Sequence, residues 1–447
     1  MAWRFMDKDF LTGWGNVKFS ESILRKPTTS DEIRKVIFSL GRNGGIPRGS
    51  GRSYGDQAMN NDGEVIHPCF HTKRWADVSS QGQITVKSSA TFFELLKEVV
   101  PRGWYLPVVP GTGFITIGGA IAADIHGKNH YRESSIANHI KSMTLMLASG
   151  ETVDCSQSKE SDIFWATVGG LGLTGVILEA TIQLVRIQSG NVLVDRKRFQ
   201  NFDDLFENMK SSTTKYDYGV AWLDLISRSN PGRGVIERAN HENLLESPNL
   251  SYETKPLVNV PAQFPNKLLN QTTVRSYNAL RFFLTGEKSS LSSKALATYM
   301  HPLDRIGSWN RLYGQTGVIQ WQAVIPETSE HALFNLVQSI SNANVPAFLA
   351  VLKRLGSSNN APLSFPMNGW TLAVDFPANR RPVYEFLDLL DIEVVNAGGR
   401  IYLAKDVRLN PELFSKMYPR VDEWNSIRKT IDPNGRWQSD FSRRLGL

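Results

Sequence analysis

Three glycine-rich stretches carry the residues best suited to chemistry. The first is Pro47-Arg48-Gly49-Ser50-Gly51-Arg52-Ser53-Tyr54-Gly55-Asp56. Its glycines let backbone N–H groups come close to an anion such as a phosphate. A dinucleotide fingerprint would need a third glycine at position 54, where Tyr54 stands, and a strand before the loop, where the pattern predicts a helix. The fingerprint therefore fails, and an anion-cradling loop or an ordinary turn remains. The second stretch is Pro107-Val108-Val109-Pro110-Gly111-Thr112-Gly113 followed by Thr116-Ile117-Gly118-Gly119-Ala120-Ile121-Ala122-Ala123-Asp124-Ile125-His126-Gly127-Lys128-Asn129. Its run of small residues lets backbone lie flat against a planar ligand, and equally allows close helix or strand packing. His126, between Asp124 and Lys128, is a candidate for proton chemistry. The third is Phe164-Trp165-Ala166-Thr167-Val168-Gly169-Gly170-Leu171-Gly172-Leu173-Thr174-Gly175-Val176-Ile177.

Short helices and strands must position these loops. Thr29-Ser30-Asp31-Glu32 reads as a capping box, with Ile33, Val36, Ile37 and Leu40 following at helical spacing and Gly41, Gly44 and Gly45 ending the helix. Thr91-Phe92-Phe93-Glu94 repeats that grammar up to Pro101 and Gly103. Ile84–Lys87 alternates as a strand, Lys141–Val153 reads as a hairpin about Ser149-Gly150, and Gly175–Val185 as a further strand. Ser247-Pro248-Asn249 marks a turn, and residues 228–290, polar and weakly periodic, read as a stretch that contains mobile loops.

The chain has 447 residues, 41% hydrophobic and 21% charged, which excludes a disordered or low-complexity protein and suggests two or three domains. Two cysteines, Cys69 and Cys155, without a CxxC, exclude a disulfide scaffold and predict no metal site. A net charge of +7 favours anionic partners, but the basic residues are scattered, so nucleic acid is not expected. The sequence from Met1 to Asp9 shows no signal-peptide core, and no apolar run spans a membrane. The expected place is the cytoplasm, touching the membrane peripherally through basic and apolar loops; a periplasmic position would need export by another route.

The order and spacing of the three stretches resemble the FAD-binding (PCMH-type) domain of the vanillyl-alcohol-oxidase flavoprotein superfamily. Within it the chain is similar to the decaprenylphosphoryl-β-D-ribose 2′-oxidase family. That resemblance continues through Ala221-Trp222, His301-Pro302-Leu303-Asp304, Trp309-Asn310-Arg311, Ile319-Gln320-Trp321-Gln322 and Ala361-Pro362-Leu363-Ser364-Phe365-Pro366. It extends to Val374-Asp375-Phe376-Pro377, Ala404-Lys405-Asp406 and Tyr418-Pro419-Arg420-Val421-Asp422-Glu423-Trp424. It implies an α+β fold in two parts: an FAD-binding domain of residues 1–189 plus 400–447, and a sheet-and-helix substrate domain of 190–399 over the flavin. It implies oxidation of the ribose 2′-hydroxyl of a polyprenyl-phosphate sugar, with a separate NAD(P)H-dependent short-chain reductase completing epimerisation to the arabinose donor for cell-envelope polysaccharide.

The resemblance also assigns residues. Gly49, Ser50, Gly51, Arg52, Ser53, Tyr54, Gly55 and Asp56 would cradle the FAD pyrophosphate. Gly111, Thr116, Gly118, Gly119, Ala123, His126, Ile177 and Tyr402 would line the rest of the cofactor. Because the first loop has Arg52, Ser53 and Tyr54 and neither His nor Cys, non-covalent FAD is expected. Lys405, His126 and Tyr54 would be catalytic. Lys405 would act as a cation that stabilises developing negative charge or, if desolvated, as a base; without the resemblance it reads first as a surface lysine paired with Asp406. Lys128, Gln320, Gln322, Lys353, Thr371 and Ala373 would meet the sugar phosphate. The alternating Gln320 and Gln322 share one strand face. Mycobacterial members carry a cysteine where this chain has Ala373, and an asparagine is usual at Thr371, so inhibitors that capture that cysteine should not bond here. A soluble sugar, aldonolactone or hydroxy acid is the alternative substrate, and a non-catalytic lipid- or nucleic-acid-binding protein is a third reading.

Overall fold

The structure, a computed structural model, describes residues 8–70, 76–227, 230–243, 249–253, 256–262, 265, 269–343, 345–378 and 381–447. Ser247 and Pro248 of the expected turn, and residues 1–7, lie outside the described residues.

Two small sheets and one large one carry the fold. The first sheet, in order β1-β2-β4-β3, joins β1 (Asp9–Thr12), β2 (Phe19–Arg25), β3 (Gly45–Pro47) and β4 (Glu64–Ile66). The second, β5-β9-β7-β8, joins β5 (Gln83–Lys87), β7 (Ile140–Met146), β8 (Thr152–Cys155) and β9 (Val176–Gln183) by antiparallel pairing. Between them in sequence, β6 (Trp104–Tyr105) pairs with β10 (Val185–Arg186).

The helix Phe92–Val99 begins at the complete capping box of Thr91 and Glu94 and buries Phe92, Leu95, Leu96 and Val99. The box at Thr29 is displaced. Thr29 accepts from the Glu32 N–H at 3.2 Å, but the Glu32 carboxylate accepts the Thr28 N–H at 2.7 Å, one residue earlier.

The third sheet has eight antiparallel strands in the order β15-β11-β13-β12-β18-β19-β17-β20. They are β11 (Asn191–Phe199), β12 (Tyr218–Asp224), β13 (Arg233–His241), β15 (Ser290–Ala295), β17 (Val318–Pro326), β18 (Ala350–Leu355), β19 (Gly369–Pro377) and β20 (Arg400–Ile401). The short β14 (Val258–Asn259) and β16 (Ile306–Gly307) pair beside it. Strand periodicity divides this sheet cleanly. Ala221, Leu223, Ile319, Trp321, Ala323, Leu352, Leu372 and Val374 are buried in one core with the inner faces of the helices Phe202–Ser212, Glu330–Asn342 and Arg381–Asn396. Their neighbours of opposite parity, Val220, Trp222, Gln320, Gln322, Val351, Lys353 and Ala373, face a large cavity on the other side.

The chain is thus an α+β protein in two parts, one built on the two small sheets and the other on the large sheet. Residues 228–290, expected to contain loops, also carry β13 and the thirteen-residue helix Gln271–Phe283.

Candidate active site

The first glycine loop leaves β3 directly, not a helix as the sequence suggested. It is clamped on two sides. A Cβ on Gly49 would lie 2.2 Å from Thr116 Oγ1, the hydroxyl that caps the helix Ile117–Ala122 by accepting the Gly119 N–H at 3.2 Å. A Cβ on Gly55 would lie 2.1 Å from the Asp406 carbonyl oxygen. The loop and the turn at 402–406, some 350 residues apart, are tied together: the Tyr54 N–H donates to the Ala404 carbonyl at 3.0 Å, and Gln57 Nε2 donates to the Leu403 and Asp406 carbonyls, both at 2.6 Å. These contacts place Lys405 beside the loop, with its Nζ 4.0 Å from the centre of the Tyr54 ring.

Loop, small-residue run and large sheet together enclose a cavity of about 790 Å³. Gly49, Ser50, Gly51, Arg52, Ser53, Tyr54, Gly55, Gly111, Thr116, Gly118, Gly119, Ala123, His126, Ile177 and Tyr402 line it, as do Lys405, Lys128, Gln320, Gln322, Lys353 and Ala373. A Cβ on Gly111 would meet nothing within 4 Å, so this wall is bare backbone.

Two expected residues do not reach the cavity. Asp56 is buried behind the loop, where it accepts from Lys18 Nζ at 2.7 Å and Arg444 Nη2 at 2.8 Å. Arg444 also reaches Asp406 at 2.9 Å, so Asp56 braces the Lys405 turn instead of touching cofactor, and Asp406 pairs with Arg444, not Lys405. Thr371 has the right strand parity but is covered by Gln322. Its hydroxyl accepts from Gln322 Nε2 at 3.1 Å and donates to the Ala323 carbonyl at 2.9 Å. It therefore orients Gln322 rather than meeting a ligand. Neither cysteine lines the cavity.

The electrostatics follow from enclosure. Withdrawal from water lowers Lys405 to about 7, with Asp375 pulling it up and Lys353 pushing it further down. Burial raises the Asp375 carboxyl to about 6, against hydrogen bonds from Gln320 Nε2 (2.7 Å) and the Tyr313 hydroxyl (2.9 Å). Burial also lowers Lys353 and Lys128, each to about 8. Lys128 Nζ sits 4.0 Å from the centre of the Tyr299 ring and donates to the Tyr299 carbonyl.

Burial, with Lys353 beside it, holds the His126 imidazole well below its usual range, so the ring is neutral. Its Nε2 accepts from Gln322 Nε2 at 3.1 Å, which puts the ring proton on Nδ1. That Nδ1, and Nε of Arg52, are buried without a partner among the described residues. Asp124, buried at φ 40°, accepts from Asn359 Nδ2 at 2.7 Å and from Ser364, fixing the His126 segment to the 359–364 turn.

Sequence reasoning missed several wall residues: Trp14, on whose ring the Arg52 guanidinium stacks at 3.9 Å, and Arg48, Glu237, Arg281, Lys294 and Tyr299. Asp375 and Trp222 stood in the quoted motifs but had no role assigned to them. Strand parity with Ala373 and Gln320 would have found Asp375.

Known proteins resemble the chain along its whole length. Residues 22–156 match the family model of the FAD binding domain, and residues 185–445 that of D-arabinono-1,4-lactone oxidase. Decaprenylphosphoryl-β-D-ribose oxidase of Mycolicibacterium smegmatis is 37% identical over 98% of this chain and 97% of its own. L-gulonolactone oxidase of Scyliorhinus torazame is 30% identical over 93% of both chains, and that of Mus musculus 22% identical over 95% of both.

The glycine clamp, the bare backbone wall, the size of the cavity and the partnerless polar atoms of wall residues, His126 Nδ1 and Arg52 Nε among them, suit an extended anionic cofactor with a planar head. The chain belongs to the FAD-dependent oxidases of the vanillyl-alcohol-oxidase superfamily, in the family of decaprenylphosphoryl-β-D-ribose oxidase, and is an oxidoreductase that acts on CH–OH groups with FAD as cofactor.

Proposed function

We propose that this oxidase converts the ribose 2′-hydroxyl of a polyprenylphosphoryl-β-D-ribose to the 2′-ketone. A partner NAD(P)H-dependent short-chain reductase then yields the arabinose epimer used as a donor for cell-envelope polysaccharide. The observation that carries this reading is the cluster of cationic side chains on the sheet side of the cavity: Lys128, Lys353, Lys294 and Arg281, with Glu237 the single carboxylate beside them among the described residues. A phosphodiester suits that cluster; a neutral lactone has no charge to meet it. Residues 1–189 with 400–447 hold the cofactor and 190–399 cover it.

Bound FAD supplies the hydride acceptor. Gly49, Ser50, Gly51, Arg52 and Ser53 hold the pyrophosphate through backbone N–H groups and the guanidinium. Gly111, Thr116, Gly118, Gly119, Ala123, Ile177 and Tyr402 form the wall along the rest. With no His or Cys in the first loop, the cofactor is held without a covalent bond, and acid precipitation releases its colour.

Lys405, neutral in about half of the molecules at pH 7, takes the hydroxyl proton as the C–H bond is broken. The resulting ammonium is stabilised by Asp375 and by the face of Tyr54. Gln320, fixed by Asp375, and Gln322, fixed by Thr371 and His126, present amides to the sugar.

The match of residues 185–445 to a lactone oxidase model favours a second reading, oxidation of a soluble sugar or aldonolactone. Anaerobic additions separate the two. Bleaching of the flavin by a polyprenylphosphoryl-ribose and not by gulono- or arabinono-lactone supports the first; bleaching by the lactone alone overturns it.

A further inference from the structure

The helix Gln271–Phe283 carries apolar side chains on two faces. Inward, Val274, Asn278 and Phe282 are buried. Phe282 packs on Trp222 and Val235, both on the cavity wall, and Asn278 Nδ2 donates to Asp224 at 2.9 Å. Arg281 lies 4.8 Å from the centre of the Trp222 ring and itself faces the cavity. Outward, Tyr277, Leu280, Phe283 and Leu284 are 58%, 59%, 65% and 74% exposed, at spacings of three and four that set them in one stripe. Near Arg305, another wall residue, Leu257 and Val258 are 71% and 61% exposed, and the Leu257 N–H donates to the Arg305 carbonyl at 2.8 Å. Clustered exposed apolar side chains of this kind mark an interaction site.

Charge selects the partner. Residues 269–294 contain Arg275, Arg281, Lys288 and Lys294 against one acid, Glu287, which pairs with Arg198 at 3.1 Å. Arg275, on the same helix, and Lys288, just after it, are exposed. Leucine and phenylalanine on an outward face with arginine and lysine around it is the pattern of a helix lying in the interface of an anionic bilayer.

We propose that the outer face of the helix Gln271–Phe283, with Leu284 and the Leu257-Val258 edge, docks on an anionic lipid bilayer. Docking there sets the cavity against the membrane that holds the substrate. The proposal rests on the reading of the substrate as a lipid-linked sugar phosphate. Arg281 faces the cavity from the same turn that carries Leu280 and Leu284 outward. A lipid-linked phosphate held by Arg281 therefore has its chain beside the apolar stripe, and the enzyme would draw it from the bilayer without exposing the chain to water.

The test uses FAD-loaded enzyme, without substrate, in flotation with vesicles of phosphatidylcholine plus phosphatidylglycerol and of phosphatidylcholine alone. Wild type is expected to float with the anionic vesicles. Leu280→Ser, Phe283→Ser and Leu284→Ser together should lower partitioning at least about tenfold. Arg275→Gln and Lys288→Gln should each lower it about fivefold on anionic vesicles and leave neutral ones unaffected. Flavin content, and flavin reduction by a short-chain polyprenylphosphoryl-ribose in detergent, should be unchanged in every variant. That separate assay, run without vesicles, reports on the substrate reading alone. Wild type that stays in solution, or a triple-serine variant that floats equally well, overturns the docking surface. So does a wild-type dimer that the serine substitutions dissociate without any vesicle binding, since the stripe would then join two copies of the chain.

Discussion

Replacing Lys405 by arginine separates the two things a lysine can do here. The amine is held near pH 7 by enclosure, against Asp375, with its Nζ 4.0 Å from the Tyr54 ring centre. A group of that pKa is neutral in about a tenth of molecules at pH 6 and about nine-tenths at pH 8, so a rate that needs the neutral amine rises about tenfold over that interval. An ordinary lysine would be neutral in fewer than about one molecule in a hundred at pH 8. Arginine keeps the charge but cannot lose its proton. If Lys405 is the base, Lys405→Arg and Lys405→Met both lose about 10²- to 10⁴-fold in the rate of anaerobic flavin reduction, and both lose the rise with pH, while FAD stays bound. The assay is stopped-flow bleaching of the flavin by substrate from pH 5.5 to 9. A Lys405→Arg enzyme near the wild-type rate, or a flat wild-type profile, refutes the proton-acceptor role and leaves only a fixed positive charge.

Asp375→Asn removes the charge that raises Lys405, so the midpoint of the same pH profile should move to more acidic pH; an unmoved midpoint would disconnect the two groups. Asp56→Asn breaks the buried pair with Arg444 and Lys18 and should cost about 3–5 kcal/mol in urea unfolding of the FAD-loaded enzyme. Burial works against the Asp56 charge, but Arg444 and Lys18 hold its carboxyl below the ordinary value. Its stabilisation is therefore present above the unfolded carboxyl pKa and lost as pH falls through the lower native one. Gly49→Ala drives a methyl group into Thr116 Oγ1, 2.2 Å away, and should purify with a markedly lower flavin-to-protein ratio; full flavin content would show that the loop yields at no cost.

The glycine loops were legible because the backbone needs glycine at those points. Gly51 sits at φ 63°, and Gly49 and Gly55 press against Thr116 and the Asp406 carbonyl. Strand parity likewise made Gln320 and Gln322 legible as neighbours on one face. Parity cannot say which residues on that face lie uppermost. Thr371 was therefore assigned to substrate although Gln322 covers it, and Asp375 went without a role although it holds Gln320 and Tyr313. Asp56 was assigned to the cofactor because its partner Arg444 lies 388 residues away, beyond any local pattern. The helix Gln271–Phe283 was not singled out within the weakly periodic stretch 228–290 because Tyr277, Leu280 and Phe283 add apolar residues opposite Val274 and Phe282, which blurs the 3.6-residue period.

The central claim is that the C2′ carbon of a lipid-linked ribose gives up its hydrogen in this cavity. Anaerobic reaction of the FAD-loaded enzyme with polyprenylphosphoryl-ribose deuterated at C2′ tests it in a single experiment. The account predicts that the flavin bleaches, more slowly than with the unlabelled sugar, and that the product is a ketone without the deuterium. A product that keeps the deuterium, or a flavin that stays oxidised, contradicts it.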